Sequence, residues 1–311
     1  MKIGMKILMI NNKDVQCGVA DYGQRVHDIL CPHFNIFLAA VKDLEEYKNA
    51  AAIFTPGDII LYNYHYATLP FITDEVIDRR VKHIAIFHEA HLNFTPDATI
   101  DTWVRPLFED IEFEKNESSY VLKQSQHTDI GYNPSGDSII EHIPTIGSFG
   151  FGFPDKNYSR IAELVKEQFT EATIRLNIPF AEYGDKDGYL AKREADKVRT
   201  ILEGTNIKAE ITHDYLNQTD LLKFLRANDI NLFLYNQSHG RGLSSAIDYA
   251  LSVYKPIGVS GSEMFRHLPK ELNVDKTSLK DLMKNWFEIL QPVYEQNSNK
   301  KLIEKYKVYL Q

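Results

Sequence analysis

Residues 235–260, YNQSHGRGLSSAIDYALSVYKPIGVS, read as the end of a buried strand, a polar loop with two glycines, a helix from about Leu243, and a second strand over residues 256–259. Strand, loop, helix, strand is one turn of an α/β repeat, and the flanking sequence can be tested for more of it. Gly240 and Gly242 bracket Arg241 where that helix is expected to begin. N–H groups left free by its first turn could then point at an anion beside a guanidinium. The plainer alternative is a helix start that uses two flexible residues and a serine cap; the loop alone leaves both readings open.

Toward the N-terminus the same alternation continues. Residues 6–10 read as a strand, 18–30 as a helix, 35–40 as a strand, 43–51 as a helix opened by an acidic cap, 58–63 as a strand, 73–81 as a helix and 83–88 as a strand. These strands are apolar on both faces, which implies a parallel sheet covered by helices on each side. Between His88 and Pro144 the pattern is less regular, with a helix expected over residues 103–111, a short strand over 120–122 and a turn over 133–137. From Thr145 the alternation restarts, with strands at 145–151, 172–178, 207–211 and 231–235 and helices at 158–169, 191–202 and 219–227. The expectation is an α/β protein of two doubly wound, Rossmann-like parallel-sheet domains, 1–144 and 145–311, facing each other across a cleft. Ligands of such sheets sit outside the carboxyl ends of the strands. The loops 11–18, 148–156 and 236–242 are therefore the candidate site.

A length of 311 residues, with 43% hydrophobic and 25% charged, suits two soluble domains with separate cores. The net charge of −8 argues against nucleic acid as a partner, because affinity for polyphosphate rests on a basic surface. Cys17 and Cys31 are too few for a disulfide framework and fit a reducing, cytoplasmic compartment. The apolar start ends at Asn11, Asn12, Lys13 and Asp14, short of a signal-peptide core, and no apolar run approaches the roughly 20 residues of a membrane span. The tail, with Lys300, Lys301, Lys305 and Lys307 among Leu302, Ile303, Tyr306 and Leu310, reads as a helix packed on a domain. A weak peripheral contact at the inner face of a membrane is its alternative.

Neither G-x-G-x-x-G after the first strand nor G-x-x-x-x-G-K-[ST] anywhere is present, so the common nicotinamide and ATP/GTP fingerprints are missing. Gly18 opens the first long helix and would let a ligand approach the backbone, while Asp21 could bind a hydroxyl or favour the helix's first turn. In SFGFGFPDK, Gly150 and Gly152 allow a similar approach and Lys156 offers a cation; packing aromatics beside a surface lysine is the competing reading. His88, at a strand end, suits a sugar hydroxyl or an ordinary capped position. His88-Glu89-Ala90-His91 lacks the H-E-x-x-H zinc spacing, and no metal is expected. The aromatic cluster with Tyr62, Tyr64, His65, Tyr66 and Phe71 suits a carbohydrate or a packed loop.

Taken in order, Cys17–Tyr22, His88, residues 146–151 with Pro154-Asp155-Lys156, Asn228-Asp229-Ile230 and residues 240–244 running on to Lys255-Pro256 resemble the GT-B-fold retaining glycosyltransferases of family 4 (glycosyl transferases group 1) over nearly the whole chain. The resemblance implies a nucleoside-diphosphate-sugar donor, UDP- or GDP-linked, as co-substrate with no further cofactor. It also implies transfer with retention to a glycan, lipid-linked or protein acceptor. Gly18, Gly150, Gly152, Lys156, Ser238, Gly240, Arg241, Gly242, Leu243 and Ser244 would bind the donor. Asp21, Tyr64, His65, His88 and Glu89 would face the acceptor, and His88, Lys156 and Arg241 would carry the catalysis. The family's paired glutamates fall here on Arg241 and Tyr249, with Asp248 adjacent, and its usual arginine falls near Ser148 and Phe149. Arg241 would then replace the missing cation. A catalytically silent, transferase-like subunit that binds nucleotide or glycan is the alternative.

Overall fold

All nine strands among the described residues pair in parallel. The computed structural model describes residues 4–13, 17–65, 67–73, 76–78, 80–87, 142–182, 184–237, 243–296 and 298–310. These residues form two units, one of residues 4–87 with 298–310 and one of residues 142–237 with 243–296. The segments expected at 103–111, 120–122 and 133–137 lie outside the described residues.

The first unit contains β1 (Ile7–Asn12), α1 (Gly18–Leu30), β2 (Ile36–Val41), α2 (Leu44–Ala51), β3 (Ile59–Tyr64) and β4 (Lys82–Phe87), with sheet order β2-β1-β3-β4. Alternate residues of β1 serve opposite faces. Ile7 and Met9 pack with Tyr22, Val26 and Leu30 of α1, while Leu8 and Ile10 pack with Tyr47, Phe54 and Ile72 on the other side. Asp43 caps α2 by accepting from the Glu46 N–H at 2.9 Å. Residues 73–81, expected as a helix, contain no α-helix among their described members. Turns of the i to i+3 kind replace it: the N–H groups of Val76 and Val81 reach Thr73 and Asp78, and the Asp78 carboxylate holds Arg80.

In the second unit β5 (Thr145–Phe149), α3 (Tyr158–Gln168), β6 (Glu171–Asn177), α4 (Tyr189–Leu202), β7 (Asn206–Thr212), α5 (Gln218–Arg226), β8 (Ile230–Phe233), α6 (Ala246–Ser252), β9 (Ile257–Val259) and α7 (Leu279–Gln296) form a sheet of order β7-β6-β5-β8-β9 with its covering helices. The helix expected from Leu243 begins instead at Ala246. The Ser244 N–H is drawn to the Met264 carbonyl at 3.2 Å, and the chain turns through Ser244 and Ser245 before the helix starts.

The last helix, α8 (Asn299–Tyr309), belongs to the first unit, although the sequence division at 144 and 145 put it with the second. Leu302, Tyr306 and Leu310 form one stripe, at most 1% exposed, against Ile7, Met9 and Val26. The Lys82 ammonium adds a hydrogen bond to the Tyr309 carbonyl at 3.0 Å. The apolar face that a membrane helix would need is thus occupied by the core. No described helix is long and apolar enough to cross a membrane.

Candidate functional site

In both units the sequence order reverses direction across the sheet at one point, between β1 and β3 in the first and between β5 and β8 in the second. At such a point the loops leaving two adjacent strands diverge and open a crevice at their carboxyl ends.

In the second unit three loops are stitched together there. The segment after β5 ends in a short 3-10 turn, Pro154–Lys156, and the Asn236 N–H after β8 donates to the Asp155 carbonyl at 2.8 Å. The loop after β9 joins through serines: Ser260 Oγ donates to the Tyr235 carbonyl at 2.6 Å and Ser262 Oγ to the Asn236 carbonyl at 3.2 Å. Gln237 Oε1 accepts from the Glu263 N–H at 3.1 Å. Lys156 therefore rises from a backbone tied to its neighbour strand. Its side chain is half-buried, and its ammonium has no carboxylate or hydrogen-bond partner among the described residues; it lies 3.8 Å from the centre of the Tyr235 ring. Tyr235 is itself buried, with Phe265 4.9 Å away and Phe233 edge-on at 6.3 Å. A half-buried cation without a counter-ion at a switch point can take an anion such as a phosphate.

The other expected donor residues separate. Gly150 has φ +136°, a backbone state that favours glycine, and its carbonyl accepts from the buried Tyr158 hydroxyl at 2.6 Å. Gly152 makes its close approach to α4, where a Cβ would meet the Ala191 Cα at 2.3 Å. That helix start is otherwise closed by Asp185, whose carboxylate accepts from the N–H groups of Leu190 and Ala191. Leu243 and Ser244 are buried, and Ser244 Oγ stands 3.4 Å from Tyr235 Oη. Tyr249 packs edge-on against Phe149 at 5.9 Å, and Asp248 beside it is buried. Ser238, Gly240, Arg241 and Gly242 lie outside the described residues, as do His88 and Glu89.

In the first unit, asparagines fasten the start of α1 to the switch point. Asn63 Nδ2 donates to Asn11 Oδ1 at 2.8 Å and to the Val19 carbonyl at 2.6 Å, and Asn11 Nδ2 donates to the Ala20 carbonyl at 2.9 Å. Gly18 is exposed at the head of that helix. Burial pushes the Asp21 carboxyl up from its ordinary value, with the Arg25 guanidinium pulling the other way. Tyr64 is buried and burial raises its phenol, while His65 Nδ1 accepts from the Ala67 N–H at 3.1 Å and closes a turn. Tyr62 is committed to the core: Tyr47 Oη lies 2.8 Å away, and Tyr62 Oη lies 2.9 Å from His83 Nδ1. Because His83 Nε2 donates to the Asp78 carbonyl, Tyr62 is the donor to the ring.

Sequence reasoning singled out Lys156 and placed Asn236 in a candidate loop, but gave no role to Tyr235, Ser260 or Ser262. Polar residues directly after a buried strand were the available signal.

The two doubly wound units define the GT-B class of fold. No protein-family model matches the chain, and no curated protein sequence matches it. Solved structures match over almost the full length. HepE of Anabaena, solved with UDP and glucose, is 12% identical with a TM-score of 0.58 over 98% of this chain and 99% of that one. Trehalose-6-phosphate synthase OtsA is 11% identical with a TM-score of 0.60 over 98% of each chain. The UDP-forming α,α-trehalose-phosphate synthase of Burkholderia xenovorans, solved with glucose-6-phosphate, is 7% identical with a TM-score of 0.60 over 98% of this chain and 100% of that one. Likeness at these identities is a likeness of fold.

Proposed function

We propose that this chain is a glycosyltransferase that moves a sugar, with retention, from a nucleoside-diphosphate sugar to a glycan, lipid-linked or protein acceptor. The observation that carries the reading is Lys156, a cation without a counter-ion among the described residues, at the switch point of the second unit. Support also comes from the bound groups of the fold's solved examples, since HepE was solved with UDP and with UDP-glucose. In this reading the second unit binds the donor diphosphate through Lys156 and the segments carrying Gly150, Gly152, Ser238 and residues 240–244. The first unit contributes Gly18 to the donor and Asp21, Tyr64, His65, His88 and Glu89 to the acceptor side.

The difficult step is departure of the nucleoside diphosphate from a carbon that becomes oxocarbenium-like. Charge grows on the leaving oxygens, so a fixed ammonium aimed at them lowers the barrier by about 3 kcal/mol for each such donor. Arg241 is the second cation of this reading and replaces the arginine missing near Ser148. Neither a metal nor another cofactor enters it.

The silent-subunit alternative rests on Tyr249, which offers aromatic packing where the family has a carboxylate. One experiment separates the two. Calorimetric titration with UDP, GDP, ADP and CDP without metal is followed by an assay for nucleoside diphosphate release from the matching sugar donor. Binding with release supports the transferase, and proton NMR of the anomeric product then tests retention. Binding without release under all acceptors supports the silent subunit, and no binding of any nucleotide refutes the transferase and leaves a subunit that binds glycan.

A further inference from the structure

We propose that Tyr235 is a positioning residue whose ring face holds the Lys156 ammonium at the place where the donor diphosphate binds. The inference rests on the donor-site reading above and adds what fixes the cation in that site.

Lysine carries four rotatable bonds, and an unpaired ammonium near a surface ordinarily samples many of them. Here two features restrict it. Its backbone is fixed, because the 3-10 turn Pro154–Lys156 is closed by the Lys156 N–H to the Phe153 carbonyl at 3.0 Å and tied to Asn236 through Asp155. Its head is fixed by the electron-rich face of Tyr235 at 3.8 Å, well inside the reach of a cation–π contact. The ring is held in turn by Phe265, Phe233 and the Ser260 bond to the Tyr235 carbonyl. An aromatic face attracts a cation without neutralising it. A carboxylate in the same place would hold the lysine equally well but would compete with the diphosphate. The ring takes one side of the ammonium and leaves the other N–H groups for phosphate oxygens. Among the described residues the tyrosine hydroxyl meets only Ser244 Oγ, at 3.4 Å, a long contact, so the face of the ring is the working part.

The test uses the full chain and UDP as the probe, with inorganic pyrophosphate as a second. Tyr235→Phe should bind UDP within about two-fold of wild type. Phenylalanine carrying one, two and three ring fluorines at position 235 keeps the packing volume and drains the face of charge. UDP affinity should then fall stepwise to about 10-fold below that of Tyr235→Phe, inside the roughly 2- to 30-fold span of a cation–π contact. In Lys156→Met the fluorine series should be flat. A merely structural ring predicts no dependence on fluorine number, so a flat series in a protein whose UDP binding needs Lys156 overturns the inference and leaves the donor site standing. If wild type binds neither UDP nor pyrophosphate, or if Lys156→Met binds as wild type does, the donor-site reading fails and the inference falls with it.

Discussion

Replacing Tyr306 with phenylalanine should stabilise the first unit. Tyr306 is 1% exposed in the core formed by α8, α1, β1 and β3, and its hydroxyl has no hydrogen-bond partner among the described residues. Burial accordingly drives the phenol far above its ordinary pKa. A buried, unsatisfied hydroxyl costs about 1–3 kcal/mol, and the small void left by one oxygen returns only a few tenths, so Tyr306→Phe should gain about 1–2 kcal/mol. Tyr62→Phe is the opposite case on the other face of the same sheet. It breaks the chain from Tyr47 to His83 and strands the His83 Nδ1 acceptor, so it should lose about 1–3 kcal/mol. Urea unfolding gives the totals, and hydrogen-exchange protection of peptides from β1 and β3 assigns them to the first unit. The reasoning is refuted if Tyr306→Phe lowers protection by 1 kcal/mol or more, which would mean that the hydroxyl has a buried partner.

Three further outcomes are expected. Lys156→Ala should weaken UDP binding at least about ten-fold while stability in urea falls by no more than about 2 kcal/mol, since the ammonium makes no ion pair among the described residues and loses only its contact with the Tyr235 ring. Gly152→Ala should destabilise the second unit by about 1–3 kcal/mol in urea unfolding, because a Cβ would press on the backbone of Ala191; an unchanged midpoint would show that α4 can yield. His267 is pushed down to about 3 by burial, with the Arg266 charge adding to it. A depressed base favours the folded state above its unfolded pKa of about 6.5, and that contribution is lost as the pH falls from there toward 3. Stability should therefore decline below pH 6.5 with a slope of at most about 1.4 kcal/mol per unit, and His267→Gln should flatten it.

Much of the architecture was legible because local and global demands agree. The helix over residues 18–30 and the Asp43 cap were read from spacing and capping chemistry, and the strands fall within one or two residues of expectation. Residues 73–81 misled because Val76, Ile77 and Val81 carry helical spacing while Asp78 prefers to bind Arg80 and close a turn. The late start of α6 depends on Met264, far along the chain, which no local pattern reveals. Lys156 was visible as a residue type at a strand-to-helix loop, but its partner Tyr235 looked only like the end of a strand. A cation–π contact between two loops has no sequence period. Gly152 was read as room for a ligand, and a glycine needed for helix contact has the same letter.

The placement of α8 also bears on how the chain is made. Domains usually fold in the order in which they leave the ribosome, the N-terminal one first. Here Leu302, Tyr306 and Leu310 complete the apolar layer beside Ile7 and Met9, yet they are synthesised after every strand of the second unit. The second unit can close while translation continues. Beside α1, the face of the sheet that carries Ile7 and Met9 stays incompletely covered until α8 emerges, and during that interval the apolar surface that Leu302, Tyr306 and Leu310 will bury is exposed on the nascent chain.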